Sequence, residues 1–146
     1  MTEKKSVQLT GNQLMQLAQQ ERQKLNEISQ RANQFRNFKT ELRAAKDTLE
    51  ELSQNKKGDK IMINLGAGIY VNASIDNTET ATTGLSGNIF KEKKITEITK
   101  TLAKKIESID KTMVQVIEDQ QKTISRLTQL ENIISAGKQH MQKQQQ

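Results

Sequence analysis

Ile61-Met-Ile-Asn-Leu65, Gly66-Ala-Gly68 and Ile69-Tyr-Val-Asn-Ala-Ser-Ile75 follow one another near the middle of the chain. The first run predicts a short strand and the glycine pair a turn. The second run predicts another strand, with Ile69, Val71, Ala73 and Ile75 on one face at period two and Tyr70, Asn72 and Ser74 on the other. Asp76-Asn77 is a turn pair. Thr80 to Leu85 is Thr-rich and β-tolerant, Ser86-Gly87 turns, and Asn88-Ile-Phe-Lys91 closes a second hairpin. Five of the seven glycines (Gly58, Gly66, Gly68, Gly84, Gly87) fall in this region. Gly66-Ala-Gly68 could also open a phosphate-binding loop. No third glycine or Gly-Lys-Ser/Thr follows, however, and no helix begins there, so the hairpin turn is the better reading.

On the N-terminal side, residues 12–56 read as one long amphipathic helix. Steps of three or four from Leu14 reach Leu17, Glu21, Leu25, Ile28, Ala32, Phe35, Phe38, Leu42, Ala45, Leu49 and Leu52, and only Glu21 is not apolar. The mean step is close to the 3.5 of a coiled coil, although strict alternation of three and four breaks between Leu17 and Leu25 and between Ala32 and Phe38. On the C-terminal side, residues 93–136 repeat the pattern through Ile95, Ile98, Leu102, Ile106, Ile109, Met113, Val116, Gln120, Ile124, Leu127, Leu130 and Ile134. Gly137 is the expected stop. Each helix would be roughly 60–70 Å long at about 1.5 Å per residue. Such a narrow stripe needs a partner.

The expected fold is therefore α+β. A long antiparallel two-helix coiled coil carries two β-hairpins (58–92) at its closed end. The whole chain is expected to be one domain, with residues 1–11 and 137–146 as flexible tails. Two hairpins alone bury little and expose their edges, so they should pair with other sheets. The expected oligomer interface is Ile61, Ile63, Leu65, Ile69, Val71, Ile75 and Ile89.

Composition excludes several classes. Only 33% of the 146 residues are hydrophobic and 3% aromatic, too few for a large many-layered enzyme core. With no Cys there is no disulfide, thiolate metal site or Cys nucleophile. His140, the one histidine, stands in a Gln-rich tail, which argues against a catalytic or zinc role. The carboxylates Glu50, Glu51, Asp110, Glu118 and Asp119 lie among Lys and Arg on helix surfaces, where no cleft would desolvate a pair. No catalytic residue, cofactor or metal is expected, and the chain is not read as an enzyme. No apolar run reaches a membrane span and the first thirteen residues lack a signal-peptide core, so the expectation is a cytoplasmic protein with no membrane partner.

The net charge is +6. Basic and acidic residues number 11 and 7 in 1–57, 4 and 4 in 58–94, and 8 and 6 in 95–146. They are interspersed, as on solvated coiled-coil flanks. With no concentrated patch or aromatic platform, nucleic acid is disfavoured as a partner. Glu21 and Gln120 interrupt the two seams; they either specify register or face solvent.

Lys60-Ile-Met-Ile-Asn-Leu-Gly-Ala-Gly-Ile-Tyr-Val-Asn-Ala73 and Thr83-Gly-Leu-Ser-Gly-Asn-Ile-Phe-Lys-Glu92 resemble the hairpin region of alpha-class prefoldin subunits. There, a strand, a Gly-x-Gly or similar turn and an aromatic-containing strand precede a second Gly-rich hairpin and the C-terminal helix. Beta-class subunits carry one hairpin, so two hairpins favour alpha. The resemblance implies a hetero-hexamer of two alpha and four beta subunits whose hairpins join an oligomeric β-barrel platform, ATP-independent capture of unfolded client proteins at the coiled-coil tips, and delivery to a group II chaperonin. An antiparallel hairpin would bring Val7, Leu9, Leu14, Met15 and Leu17 together with Ile133, Ile134 and Met141 at the open tip, as candidate client contacts. A structural or tethering coiled coil, or a basic nucleic-acid-associated one, are the alternatives.

Overall fold

The computed structural model describes residues 9–144, in the order α1 (Gly11–Gln54), β1 (Lys60–Gly66), β2 (Ile69–Ser74), β3 (Thr80–Ser86), β4 (Ile89–Lys94) and α2 (Ile95–Gln144). They divide into two compact units. One holds the chain up to Phe35 and from Lys111 onward; the other is Arg36–Asp110 and contains all four strands.

Thr10 starts α1 with a reciprocal cap: its N–H donates to Gln13 Oε1 (2.9 Å), and its Oγ1 accepts from the Gln13 N–H (3.3 Å). At the other end of the chain the expected stop fails, because α2 continues through Gly137 to Gln144. A glycine inside a helix costs only about 1 kcal/mol against Ala, and no proline follows to end it. Residues 137–144 are thus helix and not tail.

Burial along both helices corrects the expected seams. In α1 the inward positions are Leu14, Ala18, Glu21, Leu25, Ile28, Ala32, Phe35, Lys39, Leu42, Lys46 and Leu49, each buried or half-buried. Steps of four and three alternate without a break from Leu14 to Leu49, and Leu52, a further step of three, is half-buried as well. Ala18, Lys39 and Lys46 replace Leu17, Phe38 and Ala45, which are exposed. From Ile106 onward α2 keeps the same alternation by burying Thr123, 1% exposed, in place of Ile124. Strict alternation keeps one face turned to a partner helix. A lysine stem can serve as an apolar filler while its ammonium reaches out. Lys39 makes an ion pair with Asp110, and Lys46 with Glu50 at 2.6 Å. The Glu50 carboxylate, accepting that bond, holds the Lys46 ammonium above its usual range. Thr123 satisfies its hydroxyl locally by donating to the Asp119 carbonyl at 2.8 Å.

In the unit that holds the chain ends, the two helices run antiparallel. Arg22 Nη2 meets Glu131 Oε1 at 2.6 Å, and further along α1 Ser29 Oγ accepts from Gln120 Nε2, earlier on α2, at 3.1 Å. Gln120 and Glu21 are therefore half-buried seam residues and do not face solvent. Gln120 is satisfied across the seam, whereas the buried Glu21 Oε2 has no hydrogen-bond partner.

The strands form two separate antiparallel hairpins, β1–β2 and β3–β4. The first turns at Ala67-Gly68, where φ is 50° and 77°, the doubly positive condition of a type I′ turn. The second turns at Gly87-Asn88, where Gly87 has φ 58°, in keeping with a type II′ turn that takes glycine first.

Candidate functional site

In the first hairpin Ile61 lies opposite Ala73 and Ile63 opposite Val71, with Ile69 opposite Gly66 across a register shift at Leu65. Directly opposed residues share a face, so Ile61, Ile63, Leu65, Ile69, Val71 and Ala73 form one apolar face. Met62, Asn64, Tyr70 and Asn72 form the other. Ile63, Leu65, Ile69 and Val71 are exposed and Ile61 is half-buried, so these five expected interface residues of the first hairpin keep accessible surface in this chain. Ile75 does not. It is buried within its own chain, and its N–H donates to the Asp59 carbonyl at 2.9 Å, closing the base of the hairpin.

The second hairpin reproduces the first twenty residues later. Lys60↔Ser74 corresponds to Thr80↔Lys94, Asn64↔Tyr70 to Gly84↔Phe90, and the shifts at Leu65 and Leu85 coincide. The Ile95 N–H donates to the Glu79 carbonyl at 2.8 Å, as Ile75 does to Asp59. Exposure follows the same offset: Leu65 and Leu85 are 62% and 56% exposed, Ile69 and Ile89 58% and 60%, Tyr70 and Phe90 57% and 66%. At the bases, Ile75 and Ile95 are 5% and 4% exposed. Each first strand also flanks a groove against α1. Ile61, Met62 and Ile63 line one of about 450 Å³ with Leu52, and Ala81, Thr82 and Thr83 line one of about 420 Å³ with Leu49. Ile89 is among the expected interface residues, whereas Leu85 and Phe90, similarly exposed, are not, nor is the repeat that relates them to the first hairpin. Laying 60–75 over 80–95 would have shown it through Leu65/Leu85, Ile69/Ile89, Tyr70/Phe90 and Ile75/Ile95.

The second set of candidates lies in the unit with both chain ends. Leu14 and Ile134 are half-buried seam residues, whereas Leu9, Met15, Leu17, Ile133 and Met141 are exposed. Val7 lies outside the described residues. Met15 and Ile134 are brought together on a groove of about 520 Å³, also lined by Ala18, Arg22 and Lys138.

Among the described residues, no group of three or more His, Cys, Asp or Glu is arranged to hold a metal ion, and no helix is long and apolar enough to cross a membrane.

This architecture has a counterpart among known proteins. The family profile described as Prefoldin subunit matches residues 21–140. The chain belongs to the prefoldin family. In fold, this prefoldin is similar to a chain in the cryo-EM structure of filamentous PFD from Methanocaldococcus jannaschii, with 13% identity and a TM-score of 0.66, over 80% of this chain and 97% of that one. At that identity the likeness speaks for the fold alone: two long helices with two small antiparallel hairpins. No curated protein matches this prefoldin in sequence. Family membership suggests a chaperone-like subunit of a non-enzymatic family that assembles with other subunits.

Proposed function

We propose that this prefoldin is an alpha-class subunit of a cytoplasmic hetero-hexamer of two alpha and four beta chains, which captures unfolded polypeptides without ATP and passes them to a group II chaperonin. The observation that carries the reading is the pair of hairpins, each presenting exposed apolar side chains, between two long helices. Sheets of two strands are marginal alone, and their uncovered apolar residues suit a platform built from several chains. Two hairpins on one chain favour the alpha class over the beta class, which has one.

Client capture falls to the unit that holds both chain ends. Leu9, Met15, Leu17, Ile133 and Met141 are exposed there, and methionine adapts its shape to irregular partners. Weak contacts from several subunits add through effective concentration, so no single chain needs high affinity.

Deleting residues 1–11 and 137–146 tests the division of labour. The truncated chain, co-expressed with a beta subunit, should keep the native mass of the assembly yet suppress aggregation of an unfolded client less well. Unchanged protection would remove the chain ends from the mechanism. A full-length assembly that suppresses no aggregation would overturn the chaperone reading itself.

A further inference from the structure

The two hairpins share register, turn position and apolar turn ends, yet they differ at one set of rungs. Where the first hairpin has Ile63, Val71 and Ala73, the second has Thr83, Lys91 and Lys93. Lys91 and Lys93 alternate along β4 and so lie on one face, with Ala81, Thr83, Leu85 and Ile89. The only carboxylate of the hairpin strands, Glu92, points to the opposite face, where it accepts from Thr80 Oγ1. Thr83 Oγ1 accompanies Lys91 only through the Lys91 carbonyl, at 3.0 Å. Neither lysine ammonium has an ion-pair partner among the described residues, although Lys93 is half-buried.

Charge separates what the two faces can pack against. The face of the first hairpin carries no charge, so a second copy of itself is an acceptable partner. Two copies of the second hairpin, face to face, would set Lys91 and Lys93 against the same lysines while drawing them out of water, and like charges in contact exclude a partner. The apolar turn end, Leu85 and Ile89, still requires cover. A matching hairpin with carboxylates at the rungs facing Lys91 and Lys93 would cover it and pair both ammonium groups.

We propose that Lys91 and Lys93 are partner-selecting residues: they bar the second hairpin from packing on another copy of this chain and commit it to an acid-bearing β-hairpin of a different subunit. This rests on the reading of the hairpins as assembly surfaces. It goes beyond that reading by naming which hairpin refuses self-association, and why.

The full-length chain can supply its own acidic probe. Lys91→Glu with Lys93→Glu puts carboxylates on the second hairpin, and this variant should not pair with itself there any more than the wild type does. Native mass spectrometry of each protein alone and of a 1:1 mixture tests the pairing, with circular dichroism confirming that helix content is kept. The mixture should form a species heavier than either chain forms alone. Its apparent affinity should fall about tenfold or more between about 0.1 M and 1 M salt, as the screening length shrinks from about 10 Å to about 3 Å. Lys91→Gln with Lys93→Gln, mixed in the same way, should form no such species. Absence of the mixed species, or a mixed species indifferent to salt, overturns the proposal. The assembly reading fails separately, if Ile69→Asp with Val71→Asp leaves the native mass of the co-expressed assembly unchanged.

Discussion

The helices and the hairpins share one shortage of large apolar residues and handle it in opposite ways. Each helix turns one 3.5-period line inward and fills it in part with Ala18, Thr123 and the stems of Lys39 and Lys46, while Leu17, Phe38 and Ile124 stay outside it. Each hairpin keeps Leu, Ile and an aromatic at its turn end and leaves them open to water. Within this chain the helical seam is covered, and the turn ends of the hairpins are not. Disruption of the first should appear as lost folding, and disruption of the second as lost assembly.

The largest effect should come from Leu42→Asp or Ile109→Asp, each of which places an unpaired carboxylate at a buried seam position. We expect a loss of about 3 kcal/mol or more, read as an earlier thermal transition in circular dichroism. Wild-type melting in both variants would break the seam account. Next, Ile69→Asp with Val71→Asp should abolish the native mass of the assembly while most of the helical signal stays, since both residues are exposed within the chain. A large loss of helix would mean that the hairpin is part of the chain's own core.

A smaller effect sharpens the comparison at one point of α2. Thr123→Asp should destabilise by about 2 kcal/mol, whereas Ile124→Asp, one residue on and more apolar in the wild type, should stay within about 0.5 kcal/mol. The reverse order would restore Ile124 to the seam. The smallest effect belongs to the first turn. Ala67 holds φ at 50°, a left-handed conformation that strains a residue with a Cβ. Asn tolerates that region better, so Ala67→Asn should raise stability by about 0.5 kcal/mol in a chemical unfolding curve without altering assembly.

The fold class was legible in the sequence because its determinants are periodic and local: a 3.5-residue apolar repeat on either side, and period-two runs punctuated by glycine between. Ile63, Leu65, Ile69, Val71 and Ile89 were legible as surface for the same reason. The seam was legible only to within one residue. At Leu17/Ala18, Phe38/Lys39, Ala45/Lys46 and Thr123/Ile124, hydropathy favours the larger apolar neighbour. Adjacent helix positions point about 100° apart, and the need to keep one face on the partner selects the other.

The remaining features depend on pairing between segments. Ile75 reads like the other β-face residues along its strand, yet the bond from its N–H to the Asp59 carbonyl draws it into the chain's own core. Gly137 has the composition of a stop, but a stop is a competition, and the helix formers around it outweigh one glycine. The twenty-residue repeat is written in the sequence at four pairs of positions. It became visible through register, because Thr82, Thr83, Lys91 and Lys93 erase the hydropathy likeness while leaving the ladder, the shift and the turn in place. In a two-residue hairpin the turn type and loop length fix the strand register, so the ladder survives a change of side-chain polarity. Two segments can therefore be one structure twice over and still offer different faces to a partner.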